Sequence, residues 1–421
     1  MRKFISTLLL FIFFLSAFST NTWAESYISY TYNQTTKNNG ESYDNFVSST
    51  GVQRYIDYVI KVRESGYIAV SMTFFRGKSN NIDLYLFNGT VSSSSNSNYI
   101  KSSCTTNNTE FLYYYIPSFK KSGQDNGGDY MLYTIRVYAT SGASEFKINI
   151  IYPEGNNTVY VKSGTLPKGS QINIPITSGL GDINAILSWK NATATVNDMQ
   201  LTFSKNNIEI KSYVNSSSSF SDCTKTIRNT TQGSAFNVSA KALNTTQGYL
   251  FAISVPKTTN NTVRCAVPIT KQVNNNYCGA ACANMISLYK NKSLDSVYQS
   301  QLYNAAQKLQ GTTGVPYLWA YNNTINTYCG GGYKYSNQTW TVATIKSTIS
   351  ASLKSGYPVQ ALEGGLPGSS GHYVIVTGID DNYIYYNDPH YDNNYFGKQR
   401  VKIQTFVNAV NNNGGYLIVK S

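Results

Sequence analysis

Apolar and polar residues follow two different rhythms along this chain. From residue 25 to about 258 there is no long 3.6-residue pattern. Short alternating or apolar runs, such as Tyr67–Met72, Ile82–Phe87, Tyr133–Ala139 and Phe146–Tyr152, are separated by clusters of Asn, Ser, Gly and Thr. Strands at this spacing with polar turns predict β-sandwich modules. Near Pro256 the texture changes. Ala281, Met285, Ile286 and Tyr289 share one helical face, and Leu294–Leu309 and Val342–Leu353 read as two further helices. Apolar runs at 358–362, 373–379, 383–386, 401–403 and 416–419 then predict strands. Helices first and sheet second describe an α+β domain over 259–421.

The β region contains a repeat. Ala69-Val70-Ser71-Met72 is followed by Asp83-Leu84-Tyr85-Leu86, and Ala185-Ile186-Leu187-Ser188-Trp189 by Asp198-Met199-Gln200-Leu201. Ile135–Ala139 parallels Phe236–Ala240 in the same way. The expected organisation is a leader at 1–24, modules at 25–152 and 153–258, and the α+β domain at 259–421, with that last domain separable from the rest.

The leader reading rests on chemistry at the start. Arg2 and Lys3 precede an apolar stretch from Phe4 to Phe18, and Thr22 and Ala24 sit three residues and one residue before a plausible cut at Glu25. This is the pattern of a secretory signal peptide. The expectation is an exported protein with no membrane span, in a compartment where disulfides are permitted. The six cysteines leave the pairing open: Cys223 with Cys265 and Cys282 with Cys329 are both conceivable.

Charge changes the picture little. The 421-residue chain carries a net +13, or +11 without Arg2 and Lys3, with no basic block. This leans toward anionic surfaces and does not specify nucleic acid. The β modules are the candidates for binding an anionic cell surface or glycan, and a monomer is expected.

Candidate chemistry concentrates in the last domain. Cys278 stands at the start of an amphipathic helix, where the positive end of the helix dipole favours a thiolate. His372, one of only two histidines, opens an apolar strand. Asp388 ends the next strand, across a turn at Asp380-Asp381-Asn382. Antiparallel pairing would set Asp388 beside His372, giving nucleophile, base and orienting carboxylate. Gln272, on the loop entering the helix, is placed to aim an amide N–H at a developing oxyanion together with the Cys278 backbone N–H. His390 follows the Asp388-Pro389 turn and reads as a surface or rim residue. A zinc site from Cys278, Cys282, His372 and Asp388 lacks any C-x-x-C or H-x-x-x-H spacing; no cofactor or metal is expected.

These segments resemble a known family. Gln272…Tyr277-Cys278-Gly279-Ala280-Ala281-Cys282…Met285, Gly356-Tyr357-Pro358-Val359, Gly371-His372-Tyr373-Val374-Ile375-Val376-Thr377-Gly378 and Asn387-Asp388-Pro389 are similar, in order and spacing, to papain-like cysteine peptidases of the bacteriocin-processing, double-glycine-leader type and their stand-alone secreted relatives. The resemblance implies Cys278 as nucleophile, His372 as base, Asp388 as its orienter and Gln272 as oxyanion donor, acting on a protein or peptide substrate. The transporter-linked members' membrane spans are missing here, so their double-glycine specificity is not carried over. Asn81–Phe87 and the Tyr133–Tyr152 strand pair resemble the bacterial pre-peptidase C-terminal domain, although such domains usually follow the catalytic domain. The expected fold is two all-β jelly-roll-like sandwiches followed by an α+β papain-like cysteine peptidase domain. Other acyl transfers on that fold (cell-wall peptide cleavage, deamidation, transglutamination), or a surface-binding protein with a vestigial last domain, are the alternatives.

Overall fold

The computed structural model describes residues 35–421 except 37–40, 49–53, 75–80, 92–94, 106, 126, 191–197, 215–221, 260, 291–295, 367–370 and 391–396, and these residues belong to one compact unit. The expected leader lies outside the described residues.

The first sandwich is built from β1 (Thr35–Thr36), β2 (Glu41–Ser48), β3 (Tyr55–Val62), β4 (Gly66–Phe74), β5 (Asn81–Asn88), β6 (Lys101–Ser103), β7 (Thr109–Ile116), β8 (Gly123–Asp125), β9 (Gly128–Ser141) and β10 (Ala143–Ile151). One sheet runs β1-β3-β9-β5-β6, with β8 beside β9, and the other β2-β10-β4-β7. Alternation along the strands puts Tyr58, Ile60, Ile68, Val70, Met72, Leu84 and Leu86 into the layer between them.

The second sandwich uses β11 (Asn157–Leu166), β12 (Gln171–Ser178), β13 (Leu180–Lys190), β14 (Met199–Lys205), β15 (Ile208–Val214), β16 (Asp222–Asn229), β17 (Ser234–Ala242) and β18 (Gln247–Pro256). Its sheets run β12-β17-β14-β15 and β11-β18-β13-β16. That is the strand order of the first sandwich, β3-β9-β5-β6 and β2-β10-β4-β7, repeated element for element. The paired sequence words fall on matching strands: Ala69 on β4 and Ala185 on β13, Ile135–Ala139 on β9 and Phe236–Ala240 on β17. The two sandwiches touch through Ala69 and Ile151 on one side and Val159, Ile186 and Ala252 on the other, with a Ser71–Ser188 hydroxyl hydrogen bond beside them.

The α+β part follows. Its elements are β19 (Val263–Arg264), α1 (Cys278–Tyr289), α2 (Ser296–Gln310), α3 (Leu318–Tyr328), β20 (Tyr333–Asn337), α4 (Val342–Lys354), β21 (Val359–Glu363), β22 (His372–Ile379), β23 (Tyr383–Asp388), β24 (Gly397–Lys402), α5 (Ile403–Asn412) and β25 (Tyr416–Lys420). The sheet order is β19-β22-β21-β25-β20, with β23 on β22 and β24 on β23. Helix α1 packs on α2, α3 and β22. Two helices were not expected from sequence. α3 buries Leu318, Tyr321 and Ile325, and α5 buries Ile403, Phe406, Val407 and Val410, both at helical spacing. In the α5 region the run Val401–Ile403 reads as strand, whereas β24 stops at Lys402 and Ile403 opens the helix. α5 also interrupts the expected succession of helices, then sheet.

The α+β part does not stand apart from the second sandwich. β13 pairs in parallel with β19 (Leu180 with Val263, Gly181 with Arg264), and β19 pairs with β22 (Val263 with Ile379). One sheet of eleven strands therefore runs from the second sandwich into the α+β part. Gly181 makes this possible: its φ is +119°, and any Cβ there would strike the Arg264 carbonyl. Neither of the conceivable pairings, Cys223 with Cys265 or Cys282 with Cys329, is formed; the six cysteines are present as thiols.

Candidate active site

Helix α1 begins at Cys278 with no side chain capping it: the preceding Tyr277 makes no side-chain cap hydrogen bond. Its first backbone N–H groups therefore face the space in front of the helix. Cys278 is 6% exposed, at the margin of the core. Gly279 is required by packing, because a Cβ there would collide with the Tyr321 ring of α3. Tyr321 in turn meets Tyr373 of β22 edge-on, with centroids 5.4 Å apart.

His372 is the first residue of β22, a strand buried along its whole length. Its Nε2 lies 2.7 Å from Asp388 Oδ1. The ladder between β22 and β23 explains how they meet. Near the turn Ile379 faces Ile384 and Gly378 faces Tyr385, but beyond a bulge Val376 faces Tyr386 and Ile375 faces Asn387. Extending that register sets Asp388 opposite Val374, two residues from His372 and on the same face. An unbroken ladder would set Asp388 opposite Ile375, on the other face. The bulge at Thr377 thus re-aims the carboxylate toward the imidazole.

Burial disfavours a charged imidazole, but hydrogen bonds and charge from Asp388 and from Cys278 outweigh it and raise His372 from 6.5 to about 10. The pair is thereby held as an imidazolium beside a carboxylate. Cys282, one turn further into the core, differs. Burial, then the nearby Cys278 and Asp388, push its thiol well up, so it keeps its proton.

Gln272 is brought to the site by its backbone, whose N–H donates to the Pro389 carbonyl at 2.8 Å. Its side chain is turned differently from expectation. Nε2 donates to the Asn274 and Asn275 carbonyls at 2.9 and 3.0 Å, and Oε1 is buried without a hydrogen-bond partner among the described residues. Both amide hydrogens thus hold the loop that leads into α1. Asn387 does similar work from β23, donating to the Val267 and Pro268 carbonyls at 3.1 and 3.3 Å.

Of the two expectations for His390, surface residue or rim contact, the structure excludes the first. The residue is 8% exposed, its backbone N–H donates to Asp388 Oδ1 at 2.9 Å, and its ring meets His372 in a T-shape at 5.3 Å. The available signal was Asp388 itself, since an Asp commonly accepts from the N–H two residues on. Among the described residues, no group of three or more His, Cys, Asp or Glu could hold a metal ion.

With this geometry in hand, comparisons with known proteins give the class. Residues 264–418 match the Peptidase_C39 like family. Among solved structures, a C39-like peptidase from Bacillus anthracis aligns at 16% identity over 38% of this chain and 97% of its own, with a TM-score of 0.30. The peptidase domain of Streptococcus ComA, described as a bi-functional ABC transporter in a quorum-sensing pathway, aligns at 12% identity over 36% of this chain and 98% of its own, with a TM-score of 0.27. The pre-peptidase C-terminal domain of a Bacillus anthracis collagenase aligns at 12% identity over 29% of this chain and 98% of its own, with a TM-score of 0.21. No curated protein matches the chain. On the family match, residues 264–418 form a C39-like peptidase domain, and the enzyme is a cysteine peptidase.

Proposed function

We propose that the chain is an exported cysteine endopeptidase in which Cys278 is the nucleophile and His372 the acid–base, oriented by Asp388. The observation that carries this reading is the 2.7 Å contact of His372 Nε2 with Asp388 Oδ1, on an imidazole raised to about 10 by that carboxylate and by the Cys278 thiol. With Nε2 engaged by Asp388, Nδ1 is the ring nitrogen left to exchange a proton with the thiol.

His372 already holds the proton it shares with Cys278, and the Cys278 sulfur attacks the carbonyl carbon of the scissile peptide as a thiolate. Negative charge develops on the carbonyl oxygen, where the uncapped backbone N–H groups opening α1 stabilise it. The His372 imidazolium then gives its proton to the leaving amine, and a thioester remains on Cys278. His372, neutral again, takes a proton from water as the water attacks the thioester, which releases the acid and restores the thiolate beside the imidazolium. Asp388 stabilises the charged imidazole throughout and keeps its ring turned toward Cys278. Gln272, with both amide hydrogens on loop carbonyls, is assigned to shaping the 272–276 loop; a direct role at the oxyanion requires one of those bonds to open.

Export rests on the leader pattern at 1–24. No helix among the described residues is long and apolar enough to cross a membrane. The test is titration with an iodoacetamide-type alkylator followed by assays on casein, on peptidoglycan and on an amine-donor pair. One modified thiol at Cys278 with loss of casein cleavage supports the reading. Turnover of only peptidoglycan or only the amine donor replaces it with another acyl transfer, and full casein cleavage by the alkylated protein refutes it.

A further inference from the structure

Between the first sandwich and the peptidase domain there is a charged crevice, and Cys278 is not among the residues that line it. It is lined by Lys61 and Arg63 of the first sandwich, by Arg264 of β19, by Lys398 and Arg400 of β24, and by Glu154 from the connection between the sandwiches. The void measures about 420 Å³ with its open mouth and narrows inside to room for about one water-sized body. A single small ion fits this space and a peptide does not.

The charges do not balance. Lys61 and Arg63 share Asp125, at 2.9 and 2.8 Å. Arg264 and Lys398 share Glu154, at 3.4 and 3.0 Å. Arg400 lies over the Tyr383 ring at 4.3 Å and donates to the Gly127 carbonyl, while the nearest further carboxylate, Asp380, is reached through the Tyr385 hydroxyl at 2.7 Å. Among the described residues, five cations thus stand against three carboxylates. Arg264 is only 2% exposed, its contact with Glu154 is long, and its Nη1 is buried without a hydrogen-bond partner among the described residues. A buried guanidinium N–H left unmatched is costly, and a surplus of positive charge in a crevice partly shielded from solvent favours an anion over water there.

We propose that this crevice binds one small inorganic anion, which accepts from Arg264 Nη1 and ties β24 to the first sandwich. The site is structural in effect. β24 pairs with β23, Asp388 lying opposite Gly397 and Asn387 opposite Lys398, so the anion steadies the frame of the peptidase domain without entering its chemistry.

The experiment uses the whole chain. Thermal unfolding is followed at matched ionic strength in sodium chloride, sodium phosphate and sodium gluconate, gluconate being too large to enter. Chloride or phosphate should raise the midpoint above gluconate by about 2 °C or more, and the arm that does so tells a halide from an oxyanion. Arg264→Met should abolish the difference, and Lys398→Met, nearer the mouth, should reduce it. The direct readout is a crystal of the unmodified protein soaked in bromide, which should show an anomalous peak within hydrogen-bond distance of Arg264, whether or not the variants fold. Equal midpoints in all three salts, or a bromide-soaked crystal with water alone in the crevice, overturns the proposal.

Discussion

The two sandwiches share one strand order but meet the peptidase domain in different ways. The second is joined by backbone: β13 pairs with β19, and the Asp182 carboxylate accepts from the Ala266 N–H at 2.6 Å and from Arg228 at 2.8 Å. Arg228 also reaches the Leu353 carbonyl and, at 3.0 Å, the Tyr289 hydroxyl, so one side chain from β16 binds the ends of α1 and α4. The first sandwich is joined by side chains. Lys61 donates to Gln399 at 3.2 Å, Lys398 and Arg264 pair with Glu154, and Arg400 binds the Gly127 carbonyl. The difference begins in the sequence of one strand. β13 starts immediately after Gly179, and at Gly179 and Gly181 an added Cβ would strike a backbone carbonyl, of Lys257 and Arg264 respectively. The counterpart strand β4 opens on Gly66, where an added Cβ would meet the Pro153 side chain and not a backbone carbonyl, and only the second copy extends its sheet into the next domain.

This comparison can be broken or sharpened by experiment. The reference is a lesion at the site itself. Cys278→Ala should lower kcat by about 10³-fold or more and leave the unfolding midpoint unchanged; a similar loss of activity from a change at either junction would make that junction part of the catalytic apparatus.

A chain cut to 259–421 should show the cost of the backbone joint. Sequence texture favours an independent unit, but β19 would lose β13, and Tyr289 and Leu353 would lose Arg228. The expected result is a midpoint lower by about 10 °C or more than that of the peptidase domain within the whole chain. A truncated enzyme of undiminished stability would place the joint among dispensable contacts.

Asp182→Ala should cost about 3 kcal/mol in urea unfolding, because it strands a backbone N–H and the Arg228 cation together. The loss should persist in high salt, since Asp182 is buried. Equal loss and salt recovery at both junctions would erase the distinction between them.

Asp388→Asn separates site electrostatics from either junction. Because His372 is raised from 6.5 to about 10, the ion pair's contribution to stability is complete below 6.5 and is lost as pH climbs to about 10. Activity that needs the imidazolium should fall over the same alkaline range. In Asp388→Asn the alkaline fall should move to lower pH, and kcat should drop about 10- to 100-fold, less than in His372→Ala. An unmoved alkaline limb would mean that Asp388 does not hold the charge on His372.

Lys398→Met should have the smallest effect, about 1 kcal/mol or less, because Lys398 is one of two cations on Glu154 and lies near the surface of the junction. Its stability should differ most from that of the unmodified protein at low salt, and the gap should narrow as salt rises.

Much of this molecule was legible in its residues. Short alternating or apolar runs marked β4, β5, β9 and β10 of the first sandwich, and the repeated words marked β13, β14 and β17 of the second, with Ala69 and Ala185 falling on the equivalent strands β4 and β13. The helix opening at Cys278 and the strand opening at His372 could be read because a local pattern decides each. α3 and α5 were missed although Leu318, Tyr321 and Ile325, and Ile403, Phe406 and Val410, carry helical spacing; a short apolar run beside a strand reads as more strand until its burial partners are known.

Order along the chain also put Cys278, His372 and Asp388 forward as one group. Tertiary structure decided their geometry. The bulge near Thr377 shifts the β22–β23 ladder by one residue and thereby chooses the face on which Asp388 lies. Hairpin spacing alone is blind to that parity. The same holds for Gln272, whose amide was claimed by carbonyls only two and three residues away, for His390, drawn inward by Asp388 and the His372 ring, and for the unbroken sheet from β13 to β22. Local sequence sets which conformations a segment prefers. Which neighbours its hydrogen-bonding edges and faces meet depends on residues far away in the chain, and that pairing is fixed only when the whole fold closes.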